Sequence, residues 1–284
     1  MKYTFAVACL GLAFASCSPK IVVRSTQAAA PVAVHEGFLV VKETETFAAP
    51  AQEVGDIQIR DAGLTLDCDY DKVVELAAEK ARQMGANVLR IYDHRLPSLY
   101  GSSCHRIRAK ALRIADITPY EKEIIWHPAR RLKQADFKGS TDNRPFAAAT
   151  SSNIRYHYAG TPLQGTVQFT IETYFDCQES YFKPTSQAAY TLAHEQVHFD
   201  ITELYSRRLA KALQEQVANT QELERKQQEI YRQLISEAQL LQDKYDSEVY
   251  ADNDKLPAWQ TKIAQDLTAL EPYAAKQFTI KFKL

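Results

Sequence analysis

Two histidines four residues apart, with a glutamate directly after the first, are the tightest constraint on how this chain folds: His194-Glu195-Gln196-Val197-His198. A helix stacks positions i and i+4 on one face, one above the other. The flanking sequence agrees, since Val197, Ile201 and Leu204 recur at helical spacing as a core face. A long helix is therefore expected from near Ser186, just past Pro184. Two imidazoles so arranged take neighbouring corners of a tetrahedral zinc site. Glu195, rotated by about 100° around the helix, brings its carboxylate beside the open coordination position. There it can act as general base toward a metal-bound water, whose pKa zinc lowers to roughly 7. No other two of the seven histidines are closely spaced.

Such a site needs a third protein ligand. No histidine follows His198, which excludes the extended metzincin pattern. The ligand is then a downstream carboxylate, as in gluzincin and aspzincin sites, or an upstream histidine such as His157. Helix geometry turns Glu203 away from the histidines. Asp200 is also off the ligand face and suits a supporting role, orienting a ligand imidazole. A second helical region, about Ala218 to Val249, follows a break near Asn219-Thr220 and can fold back antiparallel on the first. Its end, Tyr245-Asp246-Ser247-Glu248, can return carboxylates to the zinc, with Glu248 and Asp246 as candidates. Tyr245 is a candidate to stabilise an oxyanion.

The N-terminus reads as an export signal. Lys2 precedes an apolar stretch from Phe5 to Phe14 that is too short to span a bilayer. Phe14-Ala15-Ser16-Cys17 resembles a lipobox, with Phe14 where that pattern prefers Leu, and implies acylation of Cys17. Ser18 in the next position implies an outer-membrane destination. With 34 Lys and Arg against 35 Asp and Glu, the net charge is −1, and the sequence displays no strong basic patch. Nucleic acid is therefore excluded as a partner. In an oxidising compartment Cys68 and Cys104 are expected to form a disulfide, leaving Cys177 as a buried small hydrophobe.

Residues 1–17 are thus read as signal and 18–35 as a tether. Residues 36–119 are read as a small α+β domain and 120–284 as a second domain holding the metal helix. In the first domain, Phe38 to Val41, Gly55 to Ile59, Val88 to Tyr92 and Ile107 to Ile114 read as strands. A helix opens at Tyr70-Asp71, with Asp71 as N-cap, and stops at Gly85. His94 and His105 read as isolated surface residues. The order of Cys-Asp-Tyr, helix, Met-Gly-Ala-Asn-Val-Leu, loop, Ser-Ser-Cys and strand resembles small envelope lipoprotein domains akin to the Rcs outer-membrane stress sensor. That resemblance implies a binding, docking or sensing module.

The second domain carries a further resemblance. Trp126, Leu132, Asp136-Phe137-Lys138-Gly139, Ala147 to Ser152, and Leu192 to Ile201 with Glu203-Leu204 and Arg207-Arg208-Leu209 resemble an uncharacterised bacterial secreted family described as predicted zinc-dependent proteases. The likeness covers roughly residues 120–270. It implies zinc held by His194 and His198, a catalytic Glu195 and a zincin-like fold. Members commonly carry a His-Gly pair where this chain has Ala251-Asp252. The chain is expected to be an α+β protein: a disulfide-stapled α+β domain, then a zincin-like domain of a few strands and long antiparallel helices. Its expected function is that of a lipid-anchored zinc peptidase acting on envelope proteins or peptides. The alternatives are a non-catalytic binding or sensing lipoprotein of the same fold and a purely structural helical lipoprotein.

Overall fold

The computed structural model describes residues 19–63, 68–98, 101–161 and 165–282. Cys17, the expected lipid site, lies outside the described residues. The chain is α+β and divides into two compact units, the first ending at Ile117 and the second starting at Thr118.

The first unit is a five-stranded sheet with one helix. Its elements are β1 (Lys20–Ser25), β2 (Leu39–Val41), β3 (Gln52–Arg60), α1 (Tyr70–Gln83), β4 (Val88–Arg95) and β5 (Arg106–Arg113). The order across the sheet is β1-β3-β5-β4-β2, antiparallel except where β2 runs parallel to β4. Period-two alternation gives each strand one apolar side. Ile57, Ile59, Leu89, Ile91, Ile107 and Ala109 are buried there, in one cluster with Val73, Ala77 and Ala81 of α1. Cys68 and Cys104 form the expected disulfide, which joins the start of the helix to the start of β5.

Three details differ from the sequence expectation. The stretch expected as a tether is not free, because Lys20 to Ser25 pair with β3 in continuous register. The stretch after them is pinned to the end of α1: Val32 N–H donates to Arg82 O, and the Arg82 guanidinium donates to the carbonyls of Ala33 and Glu36. The N-cap of α1 is Asp69, which accepts from Lys72 N–H at 2.8 Å, and Asp71 falls in the first turn. His94 and His105 face one another at 2.9 Å and lie against the Tyr70 ring. Gly85 does end the helix, at φ +88°, where a Cβ would meet Ala29 and Ala30.

The second unit contains β6 (Glu123–Ile125), β7 (Ala148–Ala149), β8 (Ser152–Thr161), β9 (Thr166–Asp176), β10 (Tyr181–Phe182), α2 (Ala188–Gln216), α3 (Thr220–Ala251), α4 (Leu256–Ala269) and β11 (Gln277–Lys281). β9 is the spine of its sheet, pairing with β8 along its length and with β6 and β11 at its two ends. β7 and β10 form a separate small ladder. Val197, Ile201 and Leu204 of α2 are buried with Phe169 and Ile171 of β9, so the apolar face read from the sequence is the face that packs on the sheet. α3 starts where Asn219 caps it, accepting from Glu222 N–H at 2.8 Å. It then returns along α2, and α4 also packs on α2.

The loop from β6 to β7 is fastened to this scaffold. Asp136 is fully buried and takes both guanidinium nitrogens of Arg130 at 2.9 and 3.0 Å. Phe137 packs edge-on against Phe175 and Phe182. The Lys138 ammonium donates to the carbonyls of Thr118 and Glu121. Gly139 sits so close to Gln178 and Ser180 that a Cβ would fall 2.7 Å from the Gln178 carbonyl oxygen. Among the described residues, no helix is long and apolar enough to cross a membrane.

Candidate metal centre

One turn of α2 places His194 above His198, and the antiparallel return of α3 lays Asp246 across both. His194 Nε2 and His198 Nε2 are 3.1 Å apart, and Asp246 Oδ1 lies 3.1 and 3.0 Å from them. Ligands about 2.0–2.1 Å from a tetrahedral zinc stand roughly 3.3 Å from each other, so the triangle has the size of one face of such a site. Among the described residues this is the group of three whose ligand atoms converge.

Both imidazoles are held from behind by α3. His194 Nδ1 is 3.0 Å from the Tyr245 hydroxyl, and that hydroxyl donates to the His194 carbonyl at 3.1 Å. His198 Nδ1 is 2.5 Å from Gln242 Oε1, while Gln242 Nε2 donates to the His198 carbonyl at 3.0 Å. Tyr245 Oη and Gln242 Oε1 are thereby free to accept from Nδ1, the tautomer that leaves the Nε2 lone pair of each neutral ring for a metal. Two ring nitrogens and a carboxylate oxygen then converge, 3.0–3.1 Å from one another. Asp246 Oδ1 is buried with no hydrogen-bond donor in line, and so is Glu195 Oε2. Buried acceptors without donors are costly, and a cation at their focus removes that cost.

The local field points the same way. Burial acts to lower the His198 pKa, but Asp246 and Glu195 outweigh it and raise it. Burial acts to raise the Asp246 pKa, but the two imidazoles hold the carboxyl well below its usual range. Both shifts report a place where positive charge is favoured. Burial, reinforced by Asp246 and Glu195, drives the Tyr245 phenol far above its ordinary value, so it stays a neutral donor.

A cleft of about 260 Å³ opens onto this group, lined by Phe146, Ala148 to Thr150, Glu195, His198, Asp246 and Tyr250 among others. Thr150 Oγ1 donates to the Glu195 carbonyl at 3.3 Å, and the Ser152 and Thr202 hydroxyls meet at 2.7 Å. These contacts fix the small-residue segment beside α2. The Tyr250 ring lies 5.3 Å from the His194 ring and is stacked at 6.2 Å on Phe146. Burial, with Asp246 and Glu195, pushes its phenol up to about 12.

The expected residues fall out as follows. His194, His198 and Asp246 come together, with Glu195 on the wall of the same cleft. Glu248 does not join them, because its carboxylate accepts from Trp259 Nε1 at 3.1 Å. His157 is exposed on β8. Asp200 does not orient an imidazole: it accepts from Trp126 Nε1, Gln196 Nε2 and Arg131, and so ties α2 to the preceding loop. Tyr245 is fully buried behind His194 rather than facing the cleft, which leaves Tyr250 as the tyrosine on the cleft wall. Sequence reasoning missed Gln242 and Tyr250. Both stand four residues from Asp246, so helical spacing on α3 was the signal that marked them. Ala251 ends α3, and Asp252 accepts from Asp254 N–H at the turn that follows.

No protein-family model matches this chain, and no curated protein or solved structure gives a significant match.

Proposed function

We propose that the chain is a zinc-dependent hydrolase of the cell envelope, a peptidase held to the outer membrane by lipid at Cys17. The observation that carries this reading is the convergence of His194 Nε2, His198 Nε2 and Asp246 Oδ1, which lie 3.0–3.1 Å from one another. Two imidazoles and one carboxylate are a donor set suited to zinc with a fourth position open. When bound there, zinc supplies a water acidified to near neutral pH and polarises a carbonyl.

The chain's own residues account for the remaining work. Glu195, on the cleft wall with an unpaired buried oxygen, takes the proton from the attacking water and delivers it to the leaving amine. Tyr245 and Gln242 keep the imidazole nitrogens aimed. The Tyr250 hydroxyl stands at the cleft as a neutral donor for a developing oxyanion. The export signal expected from the sequence and a cleft walled by a small-residue strand and two aromatic rings support an envelope protein or peptide as the substrate class.

The test is metal content by mass spectrometry on the chain from Pro19 onward, with His194→Ala and Glu195→Gln variants and a quenched peptide library. The expected result is one zinc per chain, lost in His194→Ala and kept in Glu195→Gln, with peptide cleavage in the parent alone. If no metal binds when zinc is supplied, the reading fails. Metal without cleavage would instead favour the binding or sensing module.

A further inference from the structure

The side of the first unit's sheet that faces away from α1 carries a feature the metal centre does not explain. Register places Lys20 opposite Arg60 and Arg95 opposite Arg106. Arg60 follows Ile59, itself opposite Ile107, so Arg60 neighbours Arg106. Lys20, Arg60, Arg106 and Arg95 therefore form one row across β1, β3, β5 and β4. Their strand neighbours Ile21, Ile59 and Ile107 take the opposite, apolar face, so all four side chains project from the same side. Arg108 adds a fifth cation in the next row, opposite Gln58 and Asp93.

Like charges directly opposite one another destabilise a sheet, and the row repeats that arrangement across three strand junctions. Among the described residues, few contacts offset it. Asp93 lies 3.5 Å from Arg95 and 3.7 Å from Arg108. Arg60 donates to the neutral Gln58 amide. Asp61 accepts from Gly63 N–H and from the Ser102 hydroxyl. Among the described residues, Lys20, Arg60 and Arg106 have no carboxylate in ion-pair range, and Arg106 Nε is buried without a hydrogen-bond partner. Between these side chains lies a cleft of about 320 Å³, lined by Arg60, Arg95, Arg106 and Arg108 with Asp61 and Asp93.

We infer that this row binds phosphate groups, and that its ligand is the phosphate of anionic lipid headgroups. Guanidinium forks match phosphate oxygens in pairs. At about 4.8 Å between strands, the row spans roughly 14 Å, the breadth of more than one headgroup. The direction comes from the chain itself. Cys17 stands three residues before Lys20, a reach of at most about 10 Å, and the row lies at that end of β1. If Cys17 is acylated, the row stands at the bilayer surface. The inference does not depend on the zinc reading, and its test does not use the anchor.

The experiment uses the chain from Pro19 onward, which contains every described element. Binding is measured by sedimentation with vesicles of phosphatidylcholine alone or with one third phosphatidylglycerol, for the parent and for Arg60→Gln/Arg95→Gln/Arg106→Gln. A control, Arg24→Gln/Arg90→Gln, removes cations from the other end of the same face. Circular dichroism checks the fold of each. The parent is expected to bind the anionic vesicles alone and to release them as salt rises. The triple variant should lose roughly a hundredfold in affinity, given the usual contribution of each basic residue near an anionic leaflet, and the control far less. If inorganic phosphate raises the melting temperature of the parent but not of the triple variant while vesicles fail to bind, the phosphate site stands and its source is a soluble one. Equal binding to both vesicle types, equal loss in both variants, or binding to duplex DNA in preference to vesicles would overturn the inference.

Discussion

Gln242 and Tyr245 bind the far nitrogens of the two imidazoles and the carbonyls of the same residues, so each fixes a tautomer and a ring orientation at once. Partners in that position commonly govern metal affinity by 10- to 100-fold. Gln242→Ala and Tyr245→Phe are expected to weaken zinc by about that factor in a chelator competition; unchanged affinity in both would mean that the α2 histidines need no support from α3. Asp246→Ala should abolish stoichiometric metal while Glu248→Ala keeps it, measured by mass spectrometry. The sequence left those two carboxylates unresolved because it does not show which face of α3 meets α2. It held enough to separate them once one is fixed, since residues two apart on a helix point about 200° away from each other. The same rotation sets Asp200 opposite His198 and explains its bonds to Trp126 and Arg131. Cys177 is fully buried, and burial pushes its thiol up to about 12. It should resist a thiol reagent at pH 8 until the chain is unfolded; rapid labelling of the native protein would contradict this.

At the scale of elements, the long helices were legible because each carries its own instructions. α2 has a continuous apolar stripe, and α3 opens with Asn219 after a break. Removing such a cap typically costs about 1 kcal/mol. Asn219→Ala should therefore lower the stability of the second unit by that amount in a denaturant titration. Zinc stoichiometry should stay at one, because Asn219 lies more than six turns of helix from Asp246. A loss of metal in this variant would show that α3 is not a rigid arm. In the first unit, four strands were legible by their alternation and β1 was not. β1 has only two inward apolar residues, Ile21 and Val23, and a Pro- and Ala-rich stretch after it. Its identity comes from pairing with β3, whose residues stand 30 to 40 positions further along the chain. The cationic row was invisible for the same reason: each strand contributes one or two basic residues, and only register aligns them.

For the whole molecule, the two units draw on different sources of stability, and that separation can be tested. The first is cross-linked by Cys68 and Cys104, which are 36 residues apart; closing a loop of that length is worth about 4 kcal/mol in the chain-entropy account. The second has no disulfide among the described residues, and its Cys177 is free. Its interior instead holds a paired charge network, in which buried Glu203 takes Arg207 at 3.0 Å, Lys276 at 2.6 Å and the Thr173 hydroxyl at 2.7 Å. Zinc bound by His194, His198 and Asp246 is expected to stabilise that unit alone, by about 4 kcal/mol when free zinc exceeds its dissociation constant a thousandfold. Calorimetry should therefore resolve two transitions. Cys68→Ser/Cys104→Ser should lower one of them and leave the other in place. Adding zinc should raise the second without moving the first, and His194→Ala should remove that rise. One transition that follows both the disulfide and the metal would mean that the units fold as a single cooperative body, and that the first supports the metal centre rather than standing apart from it.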